Sequence, residues 1–170
     1  MTISPATPAD ASELTALVNS AYRGETATKG WTSEAHLLDG VRINEPTMSG
    51  YLCERKTTIL KYIHSDGHII GCVYLNVNKD RRLYLGMLTV SPVMQANGIG
   101  RQLLHAAEMW AVRQRCKVIF MTVITTRTEL IGWYGRRGYR DTGTVVPFPV
   151  DPRFGIPKQH IELAVLEKEI

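Results

Sequence analysis

No run of apolar residues in this sequence approaches the ~20 needed to span a bilayer. The stretch from Met1 to Glu13 is polar and lacks the apolar core of a secretory signal. These two absences predict a soluble, cytoplasmic protein with no membrane partner. Cysteine is scarce. Cys53, Cys72 and Cys116 are odd in number and show no metal-like spacing. Each is flanked by apolar or strand-like sequence, so all three are expected to be buried, reduced thiols in a reducing compartment. The five histidines, His36, His64, His68, His105 and His160, also lack ligand spacing, and no metal is expected. There are no internal repeats, no low-complexity tracts and no linker rich in Pro, Gly or Ser. The 170 residues therefore read as one domain spanning 1–170, long enough to bury a core without staples.

Charge of one sign is also in short supply. The net charge is +4 and the isoelectric point about 9.1. That excess suits a polyanionic ligand, but no long basic run accompanies it. Lys79, Arg81 and Arg82 form one cluster, Arg113, Arg115 and Lys117 another, and Arg136, Arg137 and Arg140 a third. The ordinary reading of each is a solvated turn or helix end. No element that reads DNA or RNA is recognisable, so nucleic acid is not the expected partner.

What is present is a clear alternation of periods. Thr2 to Ser4 opens as a strand. Pro8 to Tyr22 has Thr7 as N-cap, Pro8 at its first position, and Leu14, Leu17, Val18 and Ala21 at helical spacing. A polar loop, Arg23 to Gly30, precedes a second expected helix from Thr32 to Asp39. Thr57 to Ile63, His68 to Val77 and Arg82 to Val90 then alternate as strands, separated by the turns Ser65-Asp66-Gly67 and Asn78-Lys79-Asp80. Their short connections predict an antiparallel meander. A long helix to about Gln114 carries Leu103, Leu104, Ala107, Trp110 and Ala111 on one face. Lys117 to Val123 is a buried strand, Arg127 to Arg137 a helix with Gly138 at its C-terminal left-handed position, and Arg140 to Val146 and Ile161 to Glu167 the last strands. Pro147 to Pro157 reads as a loop. The fold class is α/β: a mixed sheet in which an antiparallel meander leads into a βαβ unit, with helices on both faces.

The chemistry concentrates where a strand ending at Val90 passes through Gln95-Ala96-Asn97-Gly98-Ile99-Gly100-Arg101 into the long helix. The first turn of a helix has N–H groups without an intrahelical partner, at the positive end of its dipole. Glycines let the loop aim further N–H groups at the same point, and side chains at Gly98 and Gly100 would obstruct a pyrophosphate. The dinucleotide fingerprint needs a third glycine that is missing here, and the NTPase phosphate loop needs a Gly-Lys-Ser/Thr ending that is absent.

The stretch Val90-x-Pro92-x-x-Gln95-Ala96-Asn97-Gly98-Ile99-Gly100-Arg101-x-Leu103-Leu104 resembles the central motif of the GCN5-related N-acetyltransferases, the GNAT superfamily. Glu129 to Tyr139 is similar to the family's second signature, an aliphatic helix ending in Tyr, then basic residues and Gly-Tyr. The two motifs cover roughly residues 57 to 146, in the family's order. The resemblance implies a single N-acetyltransferase domain with acetyl-CoA as cosubstrate. Backbone groups of Leu88 and Val90 would hold the pantetheine arm in a strand-like manner, with Thr89 between them also counted as cofactor-binding. Gln95, Ala96, Asn97, Gly98, Ile99, Gly100 and Arg101 would hold the pyrophosphate. A β-bulge in the Arg82–Val90 strand would free the Leu88 N–H as an oxyanion donor, and Val118 to Thr122 would splay from that strand to open a V-shaped slot. Tyr134 matches the general acid. Many relatives carry Asn seven residues before that Tyr; here Arg127 stands there, and could meet a phosphate or cap the helix.

An amine attacks only when neutral, and a lysine-like amine has an ordinary pKa of about 10.4, so a base or a water chain must take its proton. Glu25 or Glu34, in the region that borders the family's acceptor site, is the candidate. Either also reads as a solvated or capping carboxylate, just as Tyr134, out of motif context, reads as a packing residue beside Trp133. Glu25, Glu34 and Asp39 together suggest attraction of a cationic amine. The acceptor, a small-molecule or peptide amine, is framed by Arg23 to Gly30, Trp31 and Pro147 to Pro157. Relatives often form homodimers. The alternative activity is a module that binds acetyl-CoA without turnover.

Overall fold

The structure, a computed structural model, describes residues 2–23 and 33–170. Its frame is a seven-stranded sheet in the order β1-β3-β4-β5-β6-β9-β7. These strands are β1 (Thr2–Pro5), β3 (Thr57–Ile63), β4 (Ile69–Val77), β5 (Arg82–Val90), β6 (Val118–Ile124), β7 (Arg140–Pro147) and β9 (Glu162–Glu169). A separate short pair joins β2 (Leu38–Asp39) to β8 (Ile156–Pro157). Neighbours in the sheet are antiparallel except β5 and β6, whose crossover is the long helix. The expected meander and βαβ unit are both present.

Among the described residues four α-helices cover the two faces: α1 (Ala11–Tyr22), α2 (Glu45–Cys53), α3 (Ile99–Arg113) and α4 (Thr128–Gly135). One core lies between the sheet and α1 with α2, where Leu14, Val18 and Met48 meet Ile59, Cys72 and Met87. The other lies under α3 and α4, where Leu103, Leu104 and Ala107 meet Val73, Leu85 and Ile119. At Gly71 on β4 an added Cβ would stand 2.9 Å from Leu103 Cδ1 and 3.1 Å from the Thr89 carbonyl oxygen. Hydrogen in place of a side chain is what allows the front of α3 to lie directly on the sheet.

The α1 start follows the sequence. Thr7 N–H donates to Asp10 Oδ2 at 2.7 Å in a capping box around the short 3₁₀ turn Pro8–Asp10. Gly138 adopts the left-handed φ of +89° after α4. Other expectations need correction. The described part of the helix expected over Thr32–Asp39 is a turn leading into β2, because Leu38 and Asp39 pair with Pro157 and Ile156. Pro147 to Pro157 is accordingly less irregular than a plain loop and contains the turn Pro152–Phe154 as well as β8. Helix α2 was not anticipated. Asn44 caps it by accepting from Thr47 N–H at 2.9 Å, but Met48 is its one buried side chain, so it shows no apolar period to read. Cys72 and Cys116 are buried as expected, whereas Cys53, at the end of α2, is exposed. No helix among the described residues is long and apolar enough to cross a membrane.

Candidate active site

The site is built where β5 and β6 part. They pair in parallel over Arg82–Val118, Leu83–Ile119 and Tyr84–Phe120 and no further, although each strand continues. The wedge this leaves is the slot expected between them. On its other side β5 pairs with β4 through a bulge. Cys72 faces Thr89 and Tyr74 faces Gly86, so Met87 and Leu88 together oppose Val73. Met87 takes a left-handed φ of +51°, unusual for a non-glycine residue. The extra residue shifts the strand's alternation by one. Leu83 and Leu85 face the α3 side, but past the bulge Leu88 and Val90 do, while Met87 packs against the α1 side. Leu88 is thus turned toward the slot, at a point where the ladder is interrupted. Its carbonyl accepts a 2.7 Å hydrogen bond from the Tyr22 hydroxyl at the end of α1.

A first cavity of about 510 Å³ runs from this point to the front of α3, lined by Leu88, Val90 and the whole stretch Gln95 to Arg101. Here Ala96 (φ +70°) and Gly98 (φ +74°) are both left-handed. Side chains brace the loop: Gln95 Nε2 donates to the Val90 carbonyl at 3.3 Å and Asn97 Nδ2 to the Met94 carbonyl at 3.1 Å. The main-chain N–H groups from Ala96 to Arg101 have no main-chain acceptor among the described residues; the next one, of Gln102, bonds to the Gly98 carbonyl. The result is a cradle of exposed donors at a helix N-terminus, which suits a phosphate. A Cβ at Gly98 would meet nothing within 4 Å, so what glycine supplies there is the torsion angle.

Arg137 adds a cation that the sequence reading left among the solvated clusters. It lines the same cavity, lies 3.7 Å above the Trp133 ring centroid and donates through Nη1 to the Trp133 carbonyl. Its Nε is buried without a partner among the described residues. Burial first, then the guanidinium groups of Arg136 and Arg101, pull its pKa below the ordinary value. The cation is held where an anion would relieve it. An orphaned donor, a crowded pair of arginines and a main-chain cradle together fit the diphosphate end of acetyl-CoA.

A second cavity of about 260 Å³ lies on the other side of the slot. Tyr22, Leu88, Leu130 and Tyr134 line both cavities and form the partition between them. The Tyr134 ring is buried, edge-on to Trp133 and Tyr139 with centroids 5.0 and 5.7 Å away. Burial, reinforced by Tyr22 and Tyr84, pushes its hydroxyl well above the usual tyrosine range, so it carries its proton throughout the working pH.

The remaining expected residues sort as follows. Thr89 does not line either cavity: the shift of register turns its buried side chain toward α1, where its hydroxyl donates to the Met87 carbonyl at 2.9 Å. Arg127 precedes α4 and lines the second cavity rather than the first, with Nε donating to Glu129 at 2.7 Å and Nη1 to the Ser33 carbonyl at 3.3 Å. Glu34 lines the second cavity, ion-paired to Arg23 at 3.1 Å. Asp39 does not line it and pairs with Lys158 at 3.2 Å. Glu25 and Trp31 lie outside the described residues.

Comparison with known proteins decides the family. The model of the Acetyltransferase (GNAT) family matches residues 16–139, most of the chain. The protein belongs to the GNAT acetyltransferases. Among solved structures, a ribosomal-protein-alanine N-acetyltransferase from Brucella melitensis is 18% identical, with full coverage of both chains and a TM-score of 0.75. The ribosomal-protein-S18-alanine N-acetyltransferase from Escherichia coli is 15% identical over 99% of this chain and 93% of its own, with a TM-score of 0.73. A GCN5-related N-acetyltransferase from Kribbella flavida is 16% identical over 99% and 97%, with a TM-score of 0.70. No curated protein matches. At these identities the solved structures establish the GNAT fold, with its mixed, mostly antiparallel sheet flanked by helices.

Proposed function

We propose that the whole chain works as one N-acetyltransferase domain that moves an acetyl group from acetyl-CoA to a primary amine by direct attack. The observation that carries this reading is the row of main-chain N–H groups from Ala96 to Arg101, unclaimed by main-chain acceptors among the described residues and opening on a cavity that ends at Leu88 and Tyr134. Acetyl-CoA supplies the activated acetyl group. The cradle and Arg137 hold its diphosphate, and Leu88 and Val90 border the path of its pantetheine arm. The Leu88 N–H, at the bulge, is the donor for the developing oxyanion, a role best met by a fixed group that needs no reorganisation. The Tyr22 bond to the Leu88 carbonyl anchors the following peptide unit, on the other side of the Leu88 Cα. The Tyr134 hydroxyl, kept protonated by burial, gives its proton to the departing thiolate. Glu34 is the one carboxylate lining the second cavity among the described residues and is the candidate acceptor of the amine proton, directly or through water.

Titration calorimetry with acetyl-CoA, followed by a panel of amines read by release of free thiol, tests the reading. Uptake of the thioester with amine-dependent thiol release is the expected result. Absence of uptake would overturn it. Uptake without release from any amine would leave a module that only binds the thioester.

A further inference from the structure

Among the described residues the second cavity is lined by more cations than carboxylates; Glu25 lies outside those residues, and Asp39 is not part of the lining. Among the described residues Arg23, Arg42 and Arg127 line it against the single carboxylate of Glu34. Glu34 is already paired with Arg23, and Arg127 with Glu129. Arg42 has no carboxylate partner among the described residues. Its guanidinium carbon lies 5.7 Å from the Tyr22 ring centroid and 6.0 Å from that of Phe154, between two aromatic rings. Its backbone is fixed as well: Asn19 on α1 accepts from the N–H groups of Arg42 and Ile43 at 2.8 and 3.3 Å and donates to the Ile43 carbonyl at 2.9 Å. Nearby Arg23 is almost wholly buried, and its Nε has no hydrogen-bond partner among the described residues. Two guanidinium groups of like charge therefore line a small space, with Glu34 the one carboxylate among its described lining residues. Like charges so placed call for an anion. The rest of the wall is mostly apolar and includes the aromatic rings of Tyr51, Tyr84 and Phe148.

We propose that the acceptor carries its own carboxylate: an amine of amino-acid size with an apolar body, its carboxylate seated on Arg42 beside Arg23 and its side chain against the tyrosines. This rests on the acetyl-transfer reading and narrows it. A guanidinium fork binds a carboxylate through two parallel hydrogen bonds, which fixes the orientation of the amine as well as its position. The same cationic wall disfavours the ammonium form of that amine and so favours the neutral nucleophile that the reaction needs. It also repels polyamines and lysine-rich peptides. In the transfer the acceptor nitrogen forms its N–C bond as the C–S bond breaks. One amine proton leaves by way of Glu34 or water, and the thiolate takes the Tyr134 proton and departs as free thiol.

The test measures thiol release at saturating acetyl-CoA with each proteinogenic amino acid beside its own carboxamide, together with spermidine and an alanine-initiated peptide amide. The best amino acid is expected to exceed its carboxamide in kcat/KM by about tenfold or more, the scale of a charge-assisted pair. R42Q should bring that ratio close to one, and R42K, which keeps the charge but not the fork, to an intermediate value. Acetyl-CoA affinity of both variants, measured by calorimetry, reports that they are folded. If no amino acid outruns its carboxamide, if spermidine or the peptide amide is preferred, or if folded R42Q keeps the ratio, the proposal is overturned while the cofactor reading stands. Failure of wild-type protein to take up acetyl-CoA would instead overturn the cofactor reading, a result that calorimetry separates from the others.

Discussion

The two cavities on either side of Tyr134 solve their recognition problems with different materials. The first draws on one continuous stretch, Ala96 to Arg101, and offers main-chain N–H groups. The second is walled by residues taken from α1, α2 and the segment before it, β5, β6, α4, β9 and the stretch around Phe148 and Phe154. A phosphate presents the same oxygens whatever molecule bears it, and main chain at a helix front meets it without any particular side chain. An amine acceptor differs from one enzyme to the next, and side chains on a shared frame can change without disturbing the sheet. Tyr22, Leu88, Leu130 and Tyr134, common to both cavities, join the constant part to the variable one.

The sharpest way to break that comparison is at the partition. Tyr134→Phe is expected to lower kcat about 100-fold or more, the lower range for loss of a general acid, while acetyl-CoA affinity measured by calorimetry is unchanged. An unchanged kcat would remove the hydroxyl from the mechanism. A smaller effect, confined to the first cavity, is expected from Gly98→Val. A branched side chain at φ +74° costs about 1–2 kcal/mol in backbone strain, and with the amides displaced the acetyl-CoA dissociation constant should rise roughly tenfold. The same titration with Gly100→Ala, whose Cβ would make ordinary 3.6 Å contact with Val90, should show a lesser loss. Smaller again is Tyr22→Phe, which deletes the bond to the Leu88 carbonyl. It should lower stability in urea titration by about 1 kcal/mol, the net worth of one hydrogen bond, with a kcat loss of a few fold. The last expectation is of no effect. Burial disfavours the charged phenolate, so the Tyr134 pKa lies above the ordinary tyrosine value of 10.0 and its O–H persists as pH rises through 10. The pH profile of kcat should have no falling limb there, and a limb near pH 10 would mean that the hydroxyl is more exposed than its packing indicates.

The same contrast explains what could be read in advance. The cradle was legible because its parts are consecutive and its glycines mark the loop. The meander was legible because β3, β4 and β5 alternate cleanly between Ser/Asp/Gly and Asn/Lys/Asp turns. Arg42 and Phe154 were not legible, because nothing local to either residue says that Arg42 approaches the rings of both Tyr22 and Phe154. The direction of the Thr89 side chain was not legible for a different reason. A bulge moves every later side chain to the opposite face, and the residue that takes the left-handed angle, Met87, is one whose type gives no warning of it. Arg137 was hidden in a basic cluster of ordinary appearance, and only its stacking on Trp133 and its unpaired Nε distinguish it from Arg136 and Arg140. Helix α2 carried a usable signal in Asn44-Glu45-Pro46, but a helix with one buried side chain offers no stripe to confirm a cap.

Gly71 has consequences well beyond β4. It belongs to neither cavity, yet the clearance above it sets how low the front of α3 sits. A methyl group there would act as a wedge under Leu103 and Ile99, pressing on the end of the rod that carries the donor cradle. Such a lever would move the helix front without altering any atom that lines the cavity, so a screen limited to pocket-lining positions would pass over it.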